Sequence, residues 1–101
     1  MTAPFDPGGI DEVIHGRMRL GIMAYLSESS PAAFTELAEA LGATNGNLSV
    51  HLTKLEAAGY VKTSKRQGKG RGLTTAALTK AGRAAWADYL AAMRALLERG
   101  T

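Results

Sequence analysis

The stretch Phe34-Thr35-Glu36-Leu37-Ala38-Glu39-Ala40-Leu41-Gly42-Ala43-Thr44-Asn45-Gly46-Asn47-Leu48-Ser49-Val50-His51-Leu52-Thr53-Lys54-Leu55-Glu56-Ala57-Ala58-Gly59 decides the fold. Thr35 is placed to cap a short helix over residues 36 to 41, its hydroxyl accepting from an otherwise unpaired first-turn amide. Glu36 in that turn complements the positive end of the helix. Gly42 supplies the left-handed residue that stops it. Two residues on, Thr44 caps a second helix in which Leu48, Leu52 and Leu55 recur at spacings of four and three, the signature of one buried face. Gly59 ends it.

Two short helices joined by a tight turn containing glycine form a helix-turn-helix. On its N-terminal side, Ile10, Ile14, Met18 and Ile22 fall four apart, widened by Val13, Tyr25 and Leu26. They predict a helix over about residues 10 to 28, ended by Ser29-Ser30-Pro31. On its C-terminal side, Tyr60-Val61-Lys62-Thr63 and Leu73-Thr74-Thr75-Ala76-Ala77-Leu78 flank a polar, glycine-rich loop from Ser64 to Gly72, which reads as a hairpin. Thr79 can cap a last helix whose stripe of Trp86, Tyr89, Leu90, Met93, Leu96 and Leu97 runs to about Arg99. The expected fold is mainly α with a small β hairpin: a three-helix core, a hairpin and a long C-terminal helix. Residues 1 to 9, with Pro4 and Pro7, read as a flexible arm, and residues 10 to 101 as one domain.

Length and composition agree with one modest core. The chain has 101 residues, 46% of them hydrophobic and only six aromatic, so packing falls to Leu, Ile, Val and Ala. It has no cysteine, which excludes thiolate metal sites, cysteine nucleophiles and disulfide staples. No export signal and no apolar run near the ~20 residues of a membrane span is visible, so a cytoplasmic protein is expected. The formal charge of +3 is modest, but eight of the twelve basic residues lie between Lys54 and Arg83, against the single acid Glu56. That imbalance suggests a polyanionic partner for the middle of the chain.

The run Phe34 to Gly42, the run Asn47 to Val61, and Leu78-Thr79-Lys80-Ala81-Gly82-Arg83 resemble, in order, winged-helix regulators of bacteria and archaea. The likeness is greatest to compact MarR- and ArsR-like proteins and spans roughly Val13 to Met93. It implies a winged helix-turn-helix that binds double-stranded DNA as a homodimer and regulates transcription, usually as a repressor that occludes a promoter. It also implies that the hairpin is a wing lying on phosphates or in the minor groove.

The residues support the same expectation without the likeness. At ~100° per residue, the leucines of the second short helix gather on one side. Asn47, Val50, Thr53 and Lys54 face the other way, with Ser49 at the flank and Thr44 and Asn45 at the helix start. This side is small and neutral to basic. Asn, Ser and Thr can bond base edges or phosphates, and the methyls of Val50 and Thr53 can meet thymine methyls in the major groove. Lys65, Arg66, Lys69 and Arg71 give the hairpin loop four cations and no acid, suited to backbone phosphates, Arg66 and Arg71 foremost. A solvated helix face and a merely solvated loop are the plain alternatives, and a winged helix that docks a protein partner is the rival function.

The last helix reaches ~30 Å at ~1.5 Å per residue, beyond what a three-helix core covers. Trp86, Tyr89, Met93, Leu96 and Leu97, with Leu20 and Met23 of helix one, are therefore the expected dimer interface. Such a dimer would place two reading helices about one duplex turn apart, on a pseudo-palindromic site. The two histidines, His15 and His51, lack metal-ligand spacing, and no nucleophile or carboxylate pair is marked for catalysis. No metal, cofactor or enzymatic activity is expected, and no residue argues for a small-molecule effector.

Overall fold

The computed structural model describes residues 9–68 and 71–100; residues 1–8 of the arm expected over 1–9, and Lys69 of the expected wing, lie outside the described residues. The elements in order are α1 (Arg17–Glu28), β1 (Ala32–Ala33), α2 (Phe34–Leu41), α3 (Asn45–Ala57), β2 (Val61–Gly68), β3 (Arg71–Leu78) and α4 (Lys80–Gly100). They form the winged-helix arrangement, with a three-stranded antiparallel sheet of order β1-β3-β2.

The first helix is shorter than its apolar spacing predicts. Asp11 captures the local backbone: its Oδ1 accepts from Val13 N–H at 2.9 Å and its carbonyl from His15 N–H at 2.8 Å. A side chain that bonds its own neighbourhood in this way competes with helix formation. Residues 10 to 16 therefore form turns, and α1 starts after the extended Gly16. The burial pattern survives this change, since Ile14, Ile22 and Leu26 are all fully buried.

The start of α2 also differs from expectation. Ala32 and Ala33 pair with Ala76 and Thr75 of β3, so the chain stays extended to Ala33 and turns helical at once. Ala33 is the cap residue, its N–H donating to Glu36 Oε1 at 3.4 Å, and Thr35 lies exposed inside the helix. The remaining punctuation is as expected. Gly42 adopts φ 61°, Thr44 Oγ1 accepts from Asn47 N–H at 3.1 Å, and Gly59 adopts φ 83°.

Leu37 of α2 and Leu48, Leu52 and Leu55 of α3 meet α1 in the core. Val61, Ala76 and Leu78 close it from the sheet. The hairpin strands run further than their side chains suggest, pairing from Val61↔Leu78 to Gly68↔Arg71. Backbone ladder bonds carry this extension, because the apolar alternation ends near Thr63.

The turn from the hairpin into α4 is tightly made. Thr79 Oγ1 accepts from Gly82 N–H at 2.9 Å and donates to Gly59 O at 2.6 Å. A Cβ at Gly82 would lie 2.1 Å from the Tyr60 carbonyl oxygen, so only glycine permits this approach. Further along α4, Tyr89 is 3% exposed, stacked on Trp86 at 5.8 Å and held by His15 Nδ1 at 2.9 Å from its hydroxyl. Two residues expected at an interchain surface are thus corrected: Tyr89 and Met23 belong to the chain's own core, Met23 with no exposed surface at all. The stripe of α4 is wide enough to serve the core along one edge and leave another edge outside.

Candidate nucleic-acid interface

Helix α3 is the centre of the candidate interface. Its three leucines are buried, while Asn45, Gly46, Asn47, Ser49, Val50, Thr53 and Lys54 are exposed, Val50 at 53%. The structure thus brings the predicted reading residues onto one outward face. Two of their hydroxyls already have partners: Thr44 Oγ1 caps the helix and Thr53 Oγ1 donates to Ser49 O at 2.9 Å. The side-chain amides of Asn45 and Asn47 have no hydrogen-bond partner among the described residues.

On one flank, α3 faces the hairpin across a groove of about 280 Å³ lined by Ser49, Thr53, Glu56, Thr63, Lys65 and Thr74 among others. The register explains the lining. Val61, Thr63 and Lys65 alternate along β2 and stand opposite Leu78, Ala76 and Thr74, so Lys65 shares the sheet face that covers the core. Arg66 and Arg71 hold the other register parity, opposite Leu73 and Gly68.

Glu56, the one acid of α3, is turned to the root of the hairpin, where it accepts from Thr63 N–H at 3.1 Å and from Thr63 Oγ1 at 3.0–3.1 Å. Its carboxylate is thereby held at the hairpin side of the groove it shares with Ser49 and Thr53.

On the opposite flank stands a residue that sequence reasoning missed. Arg19 of α1 places Nη1 3.1 Å from His51 Nδ1 and donates from Nε to Val13 O at 2.6 Å. Burial lowers the His51 pKa from its ordinary 6.5, and the positive charges of Arg19 and Lys54 lower it further. Helical spacing could not reveal this contact, because Arg19 lies 32 residues away in sequence.

Two tyrosines brace the scaffold behind the face. Tyr60 OH donates to Asp11 Oδ2 and Tyr25 OH to Glu36 Oε2, and both phenols are pushed above their ordinary pKa, chiefly by those bonds. Away from α3, the outer edge of α4 exposes Leu90 (40%) and Leu97 (61%) beside Met93, while Leu20, Trp86 and Leu96 are half-buried. Among the described residues no cluster of three His, Asp or Glu side chains is placed to hold a metal ion, and no helix is long and apolar enough to cross a membrane.

The family model described as a winged helix DNA-binding domain matches residues 18–97. The chain belongs to this family. A relative of this winged helix, an uncharacterized protein of Methanocaldococcus jannaschii, is 38% identical over 79 residues, covering 78% of this chain and 86% of the other. Among solved structures, a transcriptional regulator homologue from Pyrococcus horikoshii is 31% identical, with TM-score 0.82 and 87% of each chain covered. AbsC, a MarR family transcriptional regulator from Streptomyces coelicolor, is 26% identical with TM-score 0.64, covering 77% of this chain and 54% of its own. An ArsR family regulator is also structurally similar. The matched residues, 18–97, contain α2, α3 and the β2–β3 hairpin whole.

Proposed function

We propose that this winged helix is a transcriptional regulator that binds duplex DNA as a homodimer. Asn45, Asn47, Ser49, Val50, Thr53 and Lys54 enter the major groove, and the wing, with Lys65, Arg66, Lys69 and Arg71, lies on the flanking backbone or minor groove. The observation that carries this reading is the outward face of α3: exposed, its one acid Glu56 engaged by Thr63 at the hairpin side, and bearing the Asn45 and Asn47 amides, with no side-chain partner among the described residues, beside Lys54. Amides of this kind can bond adenine bidentately, and the cation can neutralise phosphate.

The dimer is proposed from α4. Its 21 residues extend ~31 Å at ~1.5 Å per residue, and Leu90, Met93 and Leu97 leave an apolar edge outside the core. A small domain with a thin stability margin gains from covering such an edge. Two-fold pairing gives a pseudo-palindromic site, and occupancy of a promoter by the dimer gives repression in the cytoplasm.

Selection of bound sequences from a random duplex library, with the mass of the recovered complex measured, tests all of this at once. Enriched inverted repeats and a mass of two chains per duplex are expected. Recovery of unenriched sequence would remove base reading, and one chain per duplex would remove the dimer.

A further inference from the structure

Arg19 reaches from α1 to the flank of α3 that lies away from the wing. A guanidinium donates and never accepts, so in the 3.1 Å contact His51 Nδ1 is the acceptor, and the neutral ring carries its proton on Nε2. Asn47, His51 and Lys54 follow one another at spacings of four and three, forming one row along that edge of the reading face. Arg19 and Lys54 also line one shallow hollow of about 400 Å³, with Glu12, Val13 and Ala57. Glu12 is the one acid in that lining, and among the described residues no carboxylate is ion-paired with Arg19 or Lys54. Asp11, on the same N-terminal segment, is engaged by Val13 N–H and the Tyr60 hydroxyl.

We propose that Arg19, His51 and Lys54 form a subsite for one backbone phosphate of the duplex, on the groove wall opposite the one the wing reaches. The subsite rests on the DNA-binding reading above and adds an α1 residue to it. A recognition helix lying in a groove has a phosphate strand on each side, and the wing serves only one of them. Arg19 offers fixed planar donors, Lys54 a mobile charge, and His51 a donor at Nε2.

A consequence follows for protons. In the free protein burial, and after it the charges of Arg19 and Lys54, lower the His51 pKa and so favour the neutral ring. A bound phosphodiester brings negative charge, which favours the imidazolium: the added proton takes Nδ1, the Arg19 guanidinium leaves that nitrogen and donates to the phosphate instead, and Nε2–H donates to the phosphate as well. Binding therefore takes up a proton, and affinity rises as pH falls through the interval between the bound and free values. Each unit of upward shift allows up to about a tenfold gain.

The test uses the full chain, with duplex affinity measured by fluorescence anisotropy across salt and between about pH 6 and 8, the interval spanning ordinary histidine titration. Arg19→Gln and Lys54→Gln are each expected to reduce the slope of log affinity against log salt by roughly one. His51→Gln is expected to abolish the tightening at acid pH. Because Arg19 also holds the Val13 carbonyl, Arg19→Lys serves as a second variant and should restore the salt slope; Lys54→Gln, at an exposed position, reports independently of folding. Nuclear magnetic resonance of the His51 ring should show its pKa rising when duplex is added. Wild-type binding with unchanged slopes in both Gln variants and an unchanged pH response in His51→Gln would overturn the subsite and leave DNA binding standing. Absence of any duplex binding by wild type at low ionic strength would overturn both. A His51 response to inorganic phosphate but not to duplex would assign the subsite to a free anion and overturn its place on DNA.

Discussion

Thr63 gives both its backbone N–H and its hydroxyl to the carboxylate of Glu56, joining the last turn of α3 to the first residues of the wing. An acid beside the proposed DNA-reading face is thus employed as a bracket. Bonds to a charged group at an exposed site contribute about 1 kcal/mol or less after solvent screening. Glu56→Ala should lower stability by that order and loosen the wing's angle. Hydroxyl-radical footprinting should then show weakened protection where the wing lies, with protection under α3 retained; Glu56→Gln, which can still accept from Thr63, should stay near wild type. Loss of both regions together in Glu56→Ala would sink the bracket.

The two glycines of opposite character give a second test. Gly46 lies in the first turn of α3 with nothing within 4 Å of a would-be Cβ, so Gly46→Ala should raise thermal stability by roughly 0.5–1 kcal/mol. Gly82→Ala drives a methyl group into the Tyr60 carbonyl and should destabilise by roughly 1–3 kcal/mol. Thermal melts followed by circular dichroism decide both, and equal shifts for the two variants would contradict the packing described.

For the α4 edge, Leu97→Glu is expected to convert dimer to monomer in sedimentation measurements and to lower the melting temperature only at concentrations where wild type is dimeric, since within one chain Leu97 is 61% exposed. Affinity for a duplex with two half-sites should fall, while affinity for one half-site should not. An unchanged sedimentation coefficient would place the dimer contact elsewhere.

Stability should respond to pH through three rings. His51 has a folded pKa below 6.5, so the unfolded chain binds the proton more readily, and stability declines as pH falls from 6.5 through the lowered value. His51→Gln should flatten that acid limb. Tyr25 and Tyr60 have folded values above 10.0, so their contribution is intact below that pH and disappears as pH climbs through the raised values. Denaturant midpoints recorded across pH, with Tyr60→Phe flattening part of the alkaline limb, provide the check.

Much of the fold was legible because its punctuation is local. Gly42, Thr44, Gly59 and Thr79 each do in the structure what their chemistry predicts from a few neighbouring residues. The leucine row of α3 was equally readable, and with it the identity of the outward face. What escaped was decided at a distance. The two alanines of β1 carry no strand signal and are extended only because β3 is there to pair with them. The turns before α1 come from Asp11 competing with a helical pattern whose buried side chains are nevertheless placed as expected. Along α4, spacing identified the apolar residues, but not which of them the N-terminal segment covers; His15 on Tyr89 settles that point. Arg19 was invisible for the same reason, being far in sequence from the histidine it holds.

The bare backbone of Gly82 against the Tyr60 carbonyl has a reach beyond its own neighbourhood. It sets the bearing on which α4 departs from the domain, with no side chain interposed to give slack. In an assembly joined through α4, that bearing works as the joint of a pair of dividers. The distance between the two points, and hence the number of base pairs between half-sites, is then fixed by a methyl group that is not there.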